Sequence, residues 1–194
     1  MKYPFPFDAL HNILPIAVRM IAVGEPWDPS ADGAMQNLCL ETLKIFNHES
    51  GNVLVFLPKV SSVLECSDLM KKLVRHDPTI KVRPLFASLE DWEREKIVNF
   101  CDEEENKCES CKGKRCHKCN HTGMKNRLIC FSTNVAEAGV TIPGLSAVVE
   151  TGREIDVCYD YDLKTSVFKM DWISKASWDQ VRDQCSVKSL TLTN

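Results

Sequence analysis

LICFSTNVAEAGVTIPGLSAVV, residues 128–149, decides the fold. One uninterrupted apolar run (128–131) opens the stretch, a second (147–149) closes it, and a polar Ser-Thr-Asn turn begins the connection between them. Apolar runs without alternation fit strands covered on both faces, as in a parallel sheet. The turn then stands at the carboxyl end of a strand, the edge where open α/β sheets bind ligands. Ser132, Thr133 and Asn134 bring two hydroxyls, an amide and main-chain N–H groups to that edge. Such donors suit phosphate oxygens.

Working outward, residues 53–57 (VLVFL) and 80–85 read as further strands. Apolar residues recur at helical spacing over 33–46, with Asp32 as N-cap, and again over 60–74. Ser88-Leu-Glu-Asp91 reads as a capping box for a helix over 90–101, with Trp92, Ile97 and Phe100 on its inner side. Runs 155–159 and 166–170 alternate about a Tyr-Asp-Leu-Lys turn and predict a β-hairpin. Strands alternating with helices predict an α/β chain with an open, mostly parallel sheet and helices on both faces.

The 194 residues suit one domain with a modest appendage. A net charge of −3 gives no global reason to bind nucleic acid, so any such binding must be local. No apolar run approaches the roughly 20 residues that span a bilayer, and the N-terminus lacks the order of a signal peptide. The expectation is an intracellular protein, cytoplasmic or nuclear, with no membrane partner.

Four of the ten cysteines fall within twelve residues. Cys108, Cys111, Cys116 and Cys119 spell C-x2-C-x4-C-x2-C, a spacing that lets two thiolate pairs close a tetrahedral structural Zn²⁺ site. The alternative is a set of reduced thiols in a loop. His117 and His121 could substitute as ligands. Seven basic residues (Lys107, Lys112, Lys114, Arg115, Lys118, Lys125, Arg127) surround the cluster against Glu109, the one concentrated basic patch of the sequence. It reads equally as a phosphate grip or a solubilising loop. Cys39, Cys66, Cys101, Cys130 and Cys158 read as small buried hydrophobes.

In order, the motifs resemble the C-terminal RecA-like lobe of DEAH-box/RNA-helicase-A type helicases. VLVFLP (53–58) resembles motif IV, PLFASL (84–89) the "PLYSSL" element, STNVAEAGVTIPG (132–144) motif V and VVETG (148–152) the "VIDTG" that follows it. The cysteine phrasing resembles the zinc knuckles of DnaJ-type chaperones. The resemblance implies that Thr133 and Asn134, supported by Ser132, contact the sugar-phosphate backbone of single-stranded RNA, with Ala87 and Ser88 on a neighbouring phosphate. It implies that Glu137, Gly139 and Thr141 organise the side facing the ATP cleft, and that the hairpin guides or separates strands.

Departures limit the resemblance. Pro143 stands where an aspartate is usual, and WDQVRDQCSVKSL (178–190) replaces the arginine motif, leaving Gln180 and Arg182. No GxxxxGK[ST] phosphate loop occurs. The expected organisation is an N-terminal extension (1–31), the RecA-like lobe (32–180) with a zinc-knuckle insert (102–126) and hairpin (153–172), and a polar tail (181–194). The expected function is the second RecA-like lobe of an ATP-dependent RNA helicase, partnered by the first lobe. ATP and Mg²⁺ would bind only in the complete two-lobe enzyme, no residue here being catalytic alone. The alternative is a non-catalytic RNA- or protein-binding module derived from such a lobe.

Overall fold

In the computed structural model the described residues are 27–114, 116–119, 122–134, 142, 144–174 and 189–191. Five strands form one all-parallel sheet: β1 (Asn52–Phe56), β2 (Ile80–Leu85), β3 (Arg127–Ser132), β4 (Leu145–Glu150) and β7 (Ser189–Thr191), in the order β2-β3-β1-β4-β7. Strands β5 (Arg153–Asp160) and β6 (Thr165–Trp172) form the separate antiparallel hairpin. Residues 189–191, expected in a polar tail, instead add the strand beside β4. Among the described residues no helix is long and apolar enough to cross a membrane.

Strand periodicity divides the core in two. Val53, Val55, Ile129, Phe131, Ala147 and Val149 face helices α1 (Ala34–His48) and α2 (Val60–Leu73), packing on Leu38, Phe46, Val63 and Met70. The intervening Leu54, Phe56, Leu128, Cys130 and Val148 face Ile97 of α3 (Asp91–Val98) and Phe100. Each fully buried Val, Leu, Ile or Phe side chain among these contributes about 1.5–3 kcal/mol. This explains why the strand sequences lack alternation.

Several local expectations are corrected. Gly33, at φ 75°, holds the N-cap of α1 without a side-chain bond, and the Asp28 carboxylate rather than Asp32 ties the preceding turn through Ser30. No capping box forms at α3, whose N-cap is Glu90. Arg94 reaches back instead, donating to the Ala87 carbonyl at 3.0 Å and the Leu89 carbonyl at 3.3 Å. Trp92 is not on the inner face but 56% exposed, with the Lys96 ammonium 4.7 Å from its ring. Five residues separate it from Ile97, about 140° around a helix of 3.6 residues per turn. Cys158 is exposed on the hairpin rather than buried, and Cys101 is half-buried. Residues 1–26 of the expected N-terminal extension lie outside the described residues.

Candidate nucleic-acid and metal sites

Parallel pairing brings every strand to its carboxyl end on one edge. Phe56 sits in register with Ser132 and Glu150, and Leu85 with Ser132. The 86–88 and 133–134 segments therefore leave adjacent strands at one level, joined by the Thr133 N–H donating to the Leu85 carbonyl at 3.1 Å. The chain order 2-3-1-4 makes this the edge of the topological switch.

Ser132 is fully buried and its hydroxyl donates to the Thr133 carbonyl at 2.6 Å, so it shapes the turn rather than facing solvent. The Thr133 amide is spent on Leu85, and the residue is nearly buried, 8% exposed, behind Asn134. Asn134 is exposed. Across from it, Ala87 and Ser88 are exposed, with the Ala87 carbonyl turned away to Arg94. Arg94 is an organising residue that the sequence motifs did not reveal. Glu137, Gly139, Thr141 and Pro143 lie outside the described residues, as do Gln180 and Arg182.

Asn134 also borders a small cavity with Leu57, Pro58, Glu150, Arg153 and Ile173, between the strand tips and the hairpin base. Its volume of about 30 Å³ holds a water or two, far below the roughly 300 Å³ of a small-molecule site. The hairpin root is fixed by the Gly152 N–H donating to Glu150 Oε1 (2.8 Å), the Thr151 hydroxyl donating to the Phe56 carbonyl (3.1 Å), and the Arg153 guanidinium stacked 3.9 Å from the Trp172 ring.

The four clustered cysteines converge. Their Sγ atoms all lie within 4.8 Å of one another, with Cys108–Cys116 at 3.9 Å, Cys111–Cys119 at 3.8 Å and Cys116–Cys119 at 3.7 Å. Zn–S bonds of about 2.3 Å make the edge of a tetrahedron about 3.8 Å. Three of the thiol pairs match that edge, and the four stand at non-bonded distances close to those of a tetrahedral site. Backbone N–H groups of Cys116 and Gly123 point at Cys119 Sγ (3.4 and 3.2 Å) and hold its pKa down to about 6. Burial and the neighbouring thiols push Cys111 up to about 12. Gly123 has φ 79°, and a Cβ there would fall 2.7 Å from the Gly113 carbonyl oxygen. His117 is exposed beside the cluster, and His121 lies outside the described residues.

The cysteine cluster does not border the carboxyl edge of the sheet. Its return strand meets the amino edge of the sheet, where buried Met124 contacts Cys101, Asn52 and Gly144. Six-residue β3, about 17 Å long, separates it from Thr133. The basic patch also shrinks. Arg127 is half-buried and donates to three main-chain carbonyls, Lys107 pairs with Glu104, and Lys125 pairs with Glu109 at 2.8 Å.

No family profile matches the chain. It is 33% identical over 133 residues, 69% of its length, to the candidate ATP-dependent RNA helicase ucp12 of Schizosaccharomyces pombe. It is 24% identical over 172 residues, 88% of its length, to the ATP-dependent RNA helicase HrpA of Escherichia coli. The chain spans only 8% and 11% of those relatives. Among solved structures, the DEAH/RHA helicase HrpB of Escherichia coli superposes with a TM-score of 0.68 at 20% identity, covering 92% of this chain and 20% of that one. The likeness shows the fold to be the expected RecA-like α/β lobe, and the sequence similarity supports its origin in a helicase.

Proposed function

We propose that this chain is the second RecA-like lobe of an ATP-dependent RNA helicase, holding the sugar-phosphate backbone of single-stranded RNA at the carboxyl edge of its sheet. The observation that carries the reading is the convergence of the Thr133–Asn134 and Ala87–Ser88 segments from neighbouring strands onto one level of that edge. The Thr133 hydroxyl, the Asn134 amide and the Ser88 hydroxyl and N–H are groups that bind phosphate without reading sequence. Ser132 and Arg94 position them from behind.

ATP and Mg²⁺ belong to the cleft between this lobe and a first lobe that carries the phosphate loop. Glu137, Gly139 and Thr141 are assigned to the nucleotide side of that cleft. This chain alone then binds RNA without hydrolysing ATP. Cys108, Cys111, Cys116 and Cys119 hold a structural Zn²⁺, whose chemistry is confined to cross-linking the knuckle.

Binding of a fluorescent single-stranded oligoribonucleotide to the 194-residue chain tests the reading. Thr133→Val keeps the side-chain shape and removes one hydrogen bond worth about 0.5–1.5 kcal/mol, so affinity should fall about two- to tenfold at unchanged melting temperature. Equal affinity of the two proteins would remove Thr133 from the interface. RNA-stimulated ATP hydrolysis by the isolated chain would overturn the division of labour.

A further inference from the structure

A second concentration of positive charge exists that the sequence scatters over a helix end and a strand. Lys71 in the last turn of α2, Arg75 just beyond it, and Lys81 and Arg83 of β2 line an open groove of about 350 Å³ at the sheet edge. Asp77 is the acidic residue in its lining. That carboxylate is engaged by the Thr79 N–H (2.9 Å) and hydroxyl (2.5 Å), which hold its pKa below the usual range. Lys71 makes a solvent-exposed pair with Asp68 at 3.2 Å, an interaction of little strength in water. On a chain of net charge −3, the groove is a local cationic channel.

The groove runs along the free edge of the sheet, since β2 is its terminal strand. A free edge can take an added peptide strand, but this one is poorly equipped for it. The Arg127 and Thr133 amides bond to the Thr79 and Leu85 carbonyls, so odd-numbered positions of β2 face β3 and Ile80, Val82 and Pro84 face outward. The Ile80 N–H is spent on the Asp77 carbonyl at 3.2 Å, and proline has no N–H. Val82 alone offers an outward amide donor among the described strand residues. Strand addition needs a ladder of alternating donors. What the edge does offer is charge, which a phosphate chain meets in any register.

Position supplies the other half of the argument. β2 leads without interruption from Lys81 and Arg83 into the Ala87–Ser88 segment of the carboxyl edge. Arg83 and Ser88 are five residues apart, at most about 17 Å. A nucleic-acid strand lying over Ser88 therefore reaches the groove within a few nucleotides. We propose that the Lys71–Arg75–Lys81–Arg83 groove is a second phosphate-backbone site, extending the track of a single strand held at Thr133 and Ser88. The extension rests on the RNA-binding reading of that edge, and it assigns four cations that no helicase motif contains.

The test compares oligouridylates of about five and about fifteen nucleotides, bracketing a site confined to the edge and one that includes the groove. Fluorescence anisotropy of the full chain is measured across a salt series for wild type, Lys81→Glu/Arg83→Glu and, from the other element, Lys71→Gln/Arg75→Gln. Melting temperatures establish that each variant folds. The charge-reversal pair should weaken the long oligonucleotide about tenfold and reduce its salt slope by about 1.4, leaving the short one unchanged. The helix pair should act in the same direction. Equal losses at both lengths, or none at the longer, would overturn the groove while leaving the edge intact. Displacement of the long strand by polyglutamate from wild type but not from the variants would reassign the groove to acidic peptides. If the short strand fails to bind but the long one binds through the groove, the edge reading falls and the groove stands alone. Binding of neither ends both.

Discussion

Arg127 lies with its guanidinium 3.6 Å from the centre of the Phe46 ring and donates to the Phe46, Glu49 and Gly51 carbonyls at 2.6, 2.7 and 2.9 Å. A cation at the C-terminal end of α1 thereby closes the last turn of the helix, favourably placed against its dipole. It also locks the start of β3 to the α1–β1 connection. Lysine cannot reproduce this planar fork. Arg127→Lys should cost about 2 kcal/mol and lower the melting temperature by roughly 4–8 °C. RNA affinity and its salt slope should not move. A changed salt slope at unchanged stability would return Arg127 to the surface patch in which its sequence context places it.

The thiol geometry makes the metal content a direct measurement. Freshly purified, reduced protein should carry about one equivalent of zinc, and less than about half would count against the site. Cys116→Ser should abolish binding. Chelation should release the metal with a fall in melting temperature, because a site assembled only in the folded chain contributes its binding energy to folding.

Met124 joins the knuckle to the sheet and is nearly fully buried. Met124→Ala should destabilise the lobe by about 2–5 kcal/mol while the zinc stoichiometry persists. Met124→Leu, close in volume, should cost less than about 1.5 kcal/mol. Loss of zinc in the alanine variant, with the fold intact, would show that the sheet shapes the knuckle rather than the reverse.

Gly51 enters β1 where space runs out. A Cβ there would meet the Gly144 carbonyl oxygen at 2.4 Å and Ser146 Cβ at 2.9 Å. The Gly51 N–H also donates to Ser146 Oγ at 3.1 Å, so β1 and β4 close tightly. Gly51→Ala should cost about 1–3 kcal/mol, read by thermal or urea unfolding. A neutral result would mean that β4 can slide, in conflict with the pairing of Val53 through Phe56 with Ala147 through Glu150.

The central strands were legible because burial on both faces leaves an unbroken apolar run, as in 53–57 and 128–131. The hairpin was legible because alternation marks a ribbon away from the sheet, and the cysteines because metal spacing is local. What failed depends on partners distant in sequence. Asp32 and Ser88 have cap-forming side chains, yet a left-handed Gly33 and the reach of Arg94 settled those ends. Arg127 reads as one more basic residue until three carbonyls from around residue 50 surround it. Lys71, Arg75, Lys81 and Arg83 become a groove only when α2 is laid against β2. The edge itself was half readable: Thr133 and Ser88 carry their chemistry in sequence, but not the turning inward of the Ser132 hydroxyl and the Thr133 amide.

Closure of the knuckle bears on how fast the sheet assembles. β2 and β3 pair in parallel, and 28 residues separate the end of α3 from the start of β3. The Lys125 N–H donates to the Asn106 carbonyl at 2.6 Å, and Asn126 donates to Asn106 Oδ1 at the same distance, pinching off most of that excursion at its base. A chain whose thiols are already cross-linked meets a connection of roughly 18 residues instead of 28, a saving of about 0.4 kcal/mol in loop-closure entropy. A bound ion would therefore shorten the search for the central strand, and refolding should run about twofold faster from the loaded chain than from the stripped one.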